Sequence, residues 1–409
     1  MNKDRPYPRL TINQKAERLL RSGHPWVYGE EITGLEGEYK NGDIVDVITQ
    51  KGRWLGAGYI NDNSKIRVRV ISTNSNDRFD EGFYERRIRY AVSYRKTVMG
   101  EDFNACRLIF GEADGFPGLT VDKFNDVLVT EVLSLGTDKV KELLYSLLVK
   151  VLGDYGVRVK AIYERNEAAL RDKEGLIKYK GFYEAPYLSS DESGHEQISE
   201  NGVLYDVDYI NGQKTGFFLD QKYNRLAVSK IAAGKTVLDC FTHTGAFALN
   251  AAKAGAAHVT AVDVSQDALN SARKNTALNG LEDKTDFICA DVFDYLSEAA
   301  NNGRTKFDFI ILDPPAFTKS GATVKNAYRG YKEINLKVMK LLPRGGYLAT
   351  CSCSHFMTAE LFKEMLKEAA SDANVSLRQI EERRQAPDHP ILWGVPETEY
   401  LKFFIFQIV

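Results

Sequence analysis

Apolar residues in the first 73 positions come in short runs broken by glycine. Residues 45–48, 54–60 and 66–71 stand out, the last in strict alternation, and a period of two predicts strands. Glycines at 34, 37, 42, 52, 56 and 58 punctuate them, and polar 73–77 ends the pattern. The spacing then changes. Residues 80–99 are charged, with Phe83, Ile88 and Val92 placed to face inward, which predicts a helix. Within 106–121 a cluster of Gly, Pro and Asp predicts a loop between two strands. Strands are expected at 127–133 and 161–166, with a helix at 138–152 between them. Turn-rich 189–194 closes this part near residue 190.

From residue 203 apolar runs of strand length alternate with helical periodicity, the signature of an α/β layer. Segments 203–208 and 215–221 predict a hairpin and a loop leading into a helix at 223–232. Strand 236–239 and helix 245–254 follow. Strand 258–264 then leads to a helix at 266–278, with Ser265 as its cap and Asn279-Gly280 as its stop. Strands are expected at 286–290, 307–312 and 346–352, helices at 332–342 and 359–370, and two last strands at 377–381 and 400–408. The pattern thus divides the chain into a β-rich segment (1–73), an α+β segment (74–190) and an α/β segment (191–409).

Composition narrows the class. At 409 residues the chain exceeds one ordinary domain, and two or three are expected. The polar opening MNKDRPYPRL has no apolar signal region and no run approaches a membrane span, so no membrane partner is expected. Five cysteines without framework spacing predict reduced thiols in the cytoplasm. Cys351-Ser-Cys353 is too tight for a zinc knuckle and the six histidines are scattered, so no metal is expected. A net charge of −2 excludes gripping nucleic acid by bulk charge. Between Lys65 and Lys96, however, nine Lys/Arg stand against four Asp/Glu: either a phosphate-facing patch or a solvated charged face. Nothing fixes the oligomeric state, and a homodimer is compatible with the sequence.

Candidate chemistry centres on the stretch from Lys235 to Gly245. A short strand, an acid, a loop and a glycine opening a small-residue helix form the first half of a nucleotide-binding βαβ unit. A dinucleotide fold wants G-x-G-x-x-G. This loop has one glycine, and Asp239 stands where the first should be, which argues against a NAD-dependent dehydrogenase. It suits a cofactor with an adenosine and no phosphate, such as S-adenosylmethionine, with Asp239 near its cationic methionine end. Phe241, Thr242 and Gly245 complete the expected cofactor loop. Four acids end four successive predicted strands: Asp239, Asp263, Asp291 and Asp313. Asp263, 24 residues past Asp239, sits close to the ~20 expected for a ribose-binding acid, and Asp291 would lie by the adenine amino group. Asp313-Pro-Pro-Ala-Phe317 predicts a rigid extended corner for a planar nitrogen or nucleobase. After the next strand, Cys351 and Cys353 would share a side if the extended conformation persists. A cysteine beside a nucleobase corner suggests attack on carbon 6 of a pyrimidine, which makes carbon 5 nucleophilic. Cys106, Cys240 and Cys289 read as buried and inert.

Several long motifs resemble the bacterial large-subunit (23S) ribosomal RNA (cytosine-5)-methyltransferase family, over essentially the whole chain. Leu19-Leu-Arg-Ser-Gly-His-Pro-Trp-Val-Tyr28 looks like the start of its PUA domain, and Phe110-Gly-Glu-Ala-Asp-Gly-Phe-Pro-Gly-Leu119 like its central domain. Lys214-Thr-Gly-Phe-Phe-Leu-Asp-Gln221, Leu312-Asp-Pro-Pro-Ala-Phe317, Tyr328-Arg-Gly-Tyr-Lys-Glu-Ile-Asn335 and Arg384-Gln-Ala-Pro-Asp-His-Pro390 are similar to its methyltransferase motifs. The resemblance implies a Rossmann-like seven-stranded class I methyltransferase domain behind a PUA-like RNA-binding domain and an α+β central domain. It adds Gln221 to the expected cofactor set. It also implies Cys353, in Ser352-Cys353-Ser354, as nucleophile and Asp313 as the acid holding cytosine at nitrogen 3. Where many RNA cytosine methyltransferases carry a second cysteine, this chain has Ala316 and Phe317, so the base for the carbon-5 proton is unassigned, with Cys351 one candidate. The implied activity is S-adenosylmethionine-dependent formation of 5-methylcytosine in 23S ribosomal RNA, the PUA-like domain and the basic run holding the RNA. A guanine methyltransferase without a thiol nucleophile and a non-catalytic RNA-binding assembly factor are the competing readings.

Overall fold

The computed structural model describes residues 5–189, 193–302, 306–318 and 320–409. The chain forms two compact units. The first takes Met1–Glu196, Val207–Leu219 and Pro387–Thr398, and the second Gln197–Asp206, Asp220–Ala386 and Glu399–Val409.

The first unit holds two sheets. Six strands, Arg9–Ile12, Trp26–Tyr28, Ile32–Glu36, Ile44–Thr49, Trp54–Ile60 and Ile66–Ser72, make the N-terminal one. Leu10, Ile12, Val27, Val45, Val47 and Val68 fill its core. Its helix Gln14–Arg21, capped by the Asn13 side chain, was not foreseen, because its two buried residues, Ala16 and Leu20, are too few for a helical period to register. The second sheet has the spatial order Tyr179–Phe182, Ala161–Asn166, Val127–Val132, Leu119–Phe124, Ala105–Phe110, with helices Glu81–Met99 and Leu135–Asp154. Buried polar contacts fasten the two sheets. Glu174 accepts from Asn61 (2.9 Å), Ser64 (2.5 Å) and Arg69 (3.0 Å), and Arg69 also reaches Glu112 (3.1 Å).

That network corrects the reading of 65–96 as a phosphate-facing patch. Arg67 pairs with Asp62, Arg69 with Glu112 and Glu174, Arg86 with Asp77, and Arg89 with Glu85 and Asp154. Arg87 donates to the Gly115 carbonyl over the Phe83 ring, and fully buried Arg95 pairs with Asp114. Arg69, Arg87 and Arg95 are thus engaged inside the protein, while Arg67, Arg86 and Arg89 spend their charge in more open ion pairs.

The second unit is built on a seven-stranded sheet. Its strands are β1 (Thr236–Cys240), β2 (His258–Asp263), β3 (Thr285–Cys289), β4 (Phe309–Leu312), β5 (Tyr347–Ser352), β6 (Leu377–Arg383) and β7 (Lys402–Ile408), in the spatial order β3-β2-β1-β4-β5-β7-β6. The first five run parallel, and β7 inserts antiparallel between β5 and β6. Helices α1 (Lys222–Ala232), α2 (Ala246–Lys253), α3 (Gln266–Asn279), α4 (Val292–Asn302), α5 (Val324–Leu341) and α6 (Ala359–Asp372) alternate with the strands. Leu238, Ile310, Leu312, Tyr331, Leu348 and Phe362 belong to the main core. Helix α5 starts eight residues before the predicted 332, since its polar first turns carry little apolar period. Segment 203–208 pairs with the preceding strand His195–Glu200 and not with 215–221, whose end is a short 3-10 turn at Leu219–Gln221.

Candidate active site

Strand β1 ends in a loop that forces unusual backbone on ordinary residues. Phe241 and His243 have φ of 64° and 51°, and Gly245 has 82°. Positive φ is uncommon for a non-glycine residue, and two so close together at a strand end are the kind of outlier that accompanies a binding site. The loop is held from both sides: Thr242 N–H donates to the Val262 carbonyl (3.1 Å) and His243 N–H to Asp263 Oδ2 (2.9 Å). Gly245 caps α2, and a Cβ there would meet the Ala272 methyl at 3.1 Å.

Asp239 lies fully buried beneath this loop. One oxygen, Oδ2, accepts from Thr242 Oγ1 (2.6 Å) and the Ala248 N–H (2.9 Å). The other, Oδ1, has no hydrogen-bond partner among the described residues, and neither does the buried Thr244 hydroxyl. Burial, with the neighbouring Asp313 and Asp263 carboxylates, pushes Asp239 up to about 7 against the hydrogen bonds that lower it. An unsatisfied buried carboxylate oxygen is costly unless a donor comes to it.

Asp263 ends β2 and accepts from the backbone N–H groups of His243 and Ser265 (both 2.9 Å), so it shapes the loop. Asp291 is exposed, two residues past β3, and accepts from the N–H groups of Phe293 (2.8 Å) and Asp294 (3.2 Å) at the start of α4. The four acids therefore sit at neighbouring strand ends, at differing depth.

Asp313 follows β4 beside a second cluster. The Cys351 thiol lies 2.9 Å from Asp313 Oδ1, and Gln221 Nε2 donates to the same oxygen at 3.1 Å. Gln221 is in turn held by Asn224 Nδ2 (2.6 Å). Burial first, then Asp220, pushes the Asp313 carboxyl up to about 6, against the lowering by Cys351, Arg225 and Gln221. Asp220 is anchored by the Tyr400 hydroxyl (2.6 Å). Gln221, expected at the cofactor, thus contacts the Asp313 corner. Burial and the Asp313 carboxylate push the Cys351 thiol up, so it stays protonated and donates to Asp313.

Cys353 lies just past β5, half-buried, between two anchored serines. Ser352 Oγ donates to the Tyr331 hydroxyl (3.0 Å), and Ser354 Oγ to the Thr318 carbonyl (2.8 Å). The Phe317 ring rests on Tyr331, centroids 4.5 Å apart, which ties the Pro-Pro corner to the cysteine segment. Lys402 Nζ donates to the Ser354 carbonyl (2.5 Å) from β7. Sequence reasoning missed Lys402. Its signal was one charged residue in an otherwise apolar strand, Leu401-Lys-Phe-Phe404. Of the three cysteines read as buried and inert, Cys106 and Cys240 are buried but Cys289 is exposed at the end of β3, an edge strand of the sheet among the described residues.

Comparison with known proteins places this architecture. The profile of the S-adenosylmethionine-dependent methyltransferases matches residues 174–406, and that of the PUA-like domain residues 10–73. The ribosomal RNA large subunit methyltransferase I of Klebsiella pneumoniae (strain 342) is 38% identical over 408 residues, 99% of this chain and 100% of the relative. Its namesake in Shewanella amazonensis (strain ATCC BAA-1098 / SB2B) is 41% identical over 404 residues, 98% and 99% of the two chains. A solved Streptococcus mutans chain, assigned to the SAM-dependent methyltransferases, superposes with a TM-score of 0.81 at 21% identity, covering 98% of this chain and 99% of its own. SMU.776, crystallised with SAH, gives a TM-score of 0.82 at 21% identity with the same coverage. These two likenesses give the fold. The relatives, similar over nearly their whole length, and the matching profile show that the chain belongs to the S-adenosylmethionine-dependent methyltransferase family, alongside the large-subunit ribosomal RNA methyltransferases I.

Proposed function

We propose that this protein methylates carbon 5 of a cytosine in large-subunit ribosomal RNA through a covalent adduct with Cys353. The observation that carries the reading is a half-buried thiol, flanked by two anchored serines, two positions along the chain from Cys351, whose own thiol meets the raised Asp313 carboxyl at 2.9 Å. The names of the relatives supply the RNA class.

The residues at the β1 loop fit S-adenosylmethionine. Asp239 Oδ1 lacks a donor that a cationic amino group would bring, and Asp263 and Asp291, at the ends of the next two strands, would take the ribose hydroxyls and the adenine amino group. Phe241, Thr242 and Gly245 shape the loop around it. When bound, the cofactor supplies an electrophilic methyl group. The chain's own residues prepare the acceptor. Cys353 Sγ, as thiolate, adds to carbon 6, and the carbon 5–carbon 6 π pair moves toward nitrogen 3, where Asp313 donates its proton. A carboxyl held near 6 keeps a proton to give closer to neutral pH than an ordinary one. Carbon 5 then takes the methyl group and gives up its proton to solvent water, the carbon 5–carbon 6 double bond re-forms as the carbon–sulfur bond breaks to return the thiolate, and nitrogen 3 hands its proton back to Asp313. Cys351, a thiol donating to Asp313, steadies that acid and is unsuited to accept the carbon-5 proton. The target base must leave its stack to reach the site, at a cost of a few kcal/mol, roughly, if paired.

RNA carrying 5-fluorocytosine tests this, because fluorine cannot leave as a proton does. With S-adenosylmethionine present, a covalent adduct should appear as a gel shift, vanish in Cys353→Ala and persist in Cys351→Ala. Full methylation of unmodified RNA without any adduct would overturn the cytosine reading in favour of a base that needs no thiol.

A further inference from the structure

We infer that a hollow between α5 and α6 receives the RNA backbone beside the target nucleotide, with Lys325 and Arg329 on its phosphates. The inference deepens the RNA reading and rests on it. The hollow has a volume of about 340 Å³, and Val324, Tyr328 and Leu361 supply its apolar wall. That volume stands at the lower end of ligand-sized sites, roughly 300–1,000 Å³. Lys325 and Arg329 line it from α5, four positions apart and so on one face of the helix. Both are exposed, and neither has an ion pair or hydrogen bond with the described residues. That sets them apart from Arg67, Arg69, Arg86, Arg89 and Arg95, each of which meets a carboxylate.

The other polar groups of the hollow are already compensated. Lys332 Nζ reaches Glu368 and Asp372 on α6 (both 3.0 Å), which ties the two helices together. Tyr328 donates to Glu368, and its phenol, pushed up to about 12 by burial and then by that carboxylate, stays neutral. Glu364, exposed on α6, also acts on Tyr328 but does not line the hollow. The lining thus holds three cations, Lys325, Arg329 and Lys332, against one acid, and that acid is paired with Lys332. Two uncompensated cations above an apolar wall suit a polyanion with flat apolar faces. A nucleotide chain is such a polyanion, its phosphates meeting Lys325 and Arg329 while a base lies against Tyr328. The inner face of α5 fixes where along the RNA this contact falls. The Tyr331 hydroxyl accepts from Ser352, next to Cys353, and its ring rests on Phe317 of the Pro-Pro corner (centroids 4.5 Å). Gly330 permits that packing, since a Cβ there would stand 3.2 Å from the Phe317 ring. Arg329 is thus two residues from a side chain that braces the cysteine segment. RNA that delivers its base to Cys353 passes its flanking backbone over the outer face of this helix.

Binding of an unmodified 23S ribosomal RNA transcript to the full chain, measured by filter retention across salt, tests the inference. Lys325→Gln combined with Arg329→Gln should weaken binding roughly threefold to thirtyfold at low salt. Losing two phosphate contacts should also flatten the slope of log affinity against log salt by about 1.4, at ~0.7 per single-stranded phosphate. Lys340→Gln removes a charge near the far end of α5, on the order of 16 Å along the axis from Arg329, and should leave the slope as it is. A double variant that still binds S-adenosylmethionine yet keeps the native slope would overturn the inference. Phosphate ethylation interference needs no variant. Ethyl groups on the phosphates flanking a trapped fluorocytosine should lower the adduct yield of the native protein, and an unaffected yield would overturn the placement beside the target base. A flattened slope in the double variant with no fluorocytosine adduct in the native protein would sink the cytosine reading while leaving the phosphate site; an adduct with an unchanged slope would do the reverse.

Discussion

At the residue scale the informative atom is Asp239 Oδ1, buried and without a donor. A carboxyl at about 7 is part neutral at physiological pH, and a cationic ligand favours its charged form. S-adenosylmethionine should therefore bind more tightly as pH rises from about 6 to about 7.5, releasing a proton as it does. Calorimetry in buffers of differing ionisation enthalpy checks both. Asp239→Asn should abolish the pH dependence and weaken binding by roughly tenfold to a hundredfold. The same shifts act on stability. Asp239 and Asp313 are raised above their unfolded values, so the native state binds more protons than the unfolded one between about 4 and 7. The cofactor-free protein should lose stability as pH rises through that window, a trend that urea unfolding can follow. Asp239 and the Asp-Pro-Pro corner were legible because strand, acid and turn lie adjacent in the chain. The Cys351 contact to Asp313 spans 38 positions and that of Gln221 spans 92, distances at which sequence gives no geometry.

Among elements, the loop between β1 and α2 does the positioning. Gly245 is required twice, by its left-handed φ of 82° and by the 3.1 Å approach of Ala272 on α3. Gly245→Ala should cost about 1–2 kcal/mol of stability, read from urea unfolding, and weaken cofactor binding because the loop rests on that turn. The single glycine in this loop was readable as a departure from dinucleotide folds. That Phe241 and His243 also take positive φ was not, since neither residue type announces it. Strand boundaries came within a residue or two wherever the apolar run was continuous. Helix α5 was misplaced because the polar residues Lys325, Asn326 and Arg329 of its first turns hide the period of Ala327, Tyr331 and Ile334 beneath.

For the whole molecule, the fate of the basic run is the main lesson. Counting charges between 65 and 96 gave an excess, but Arg69 meets Glu174 across 105 positions and Glu112 across 43. Local composition cannot see such partners. Within the first unit these pairs join the PUA-like sheet to the central one, so deleting residues 1–73 would strand buried Glu174. Arg69→Ala should lower stability by about 3 kcal/mol, because two carboxylates lose their shared cation. A calorimetric melt showing no destabilisation would mean the two sheets are held by apolar contact alone.

The position of β7 has a consequence for the order of folding. It follows β6 in the chain yet lies between β5 and β6, so β5 waits some fifty residues, by position, for its antiparallel neighbour. Lys402 travels on that late strand. A refolding chain whose parallel strands have already assembled would leave the far side of β5 open and the Ser354 carbonyl without its Lys402 donor. Docking of β7 would then close the sheet and fix the segment after β5, so the stretch that carries Cys353 is among the last parts of the domain to settle.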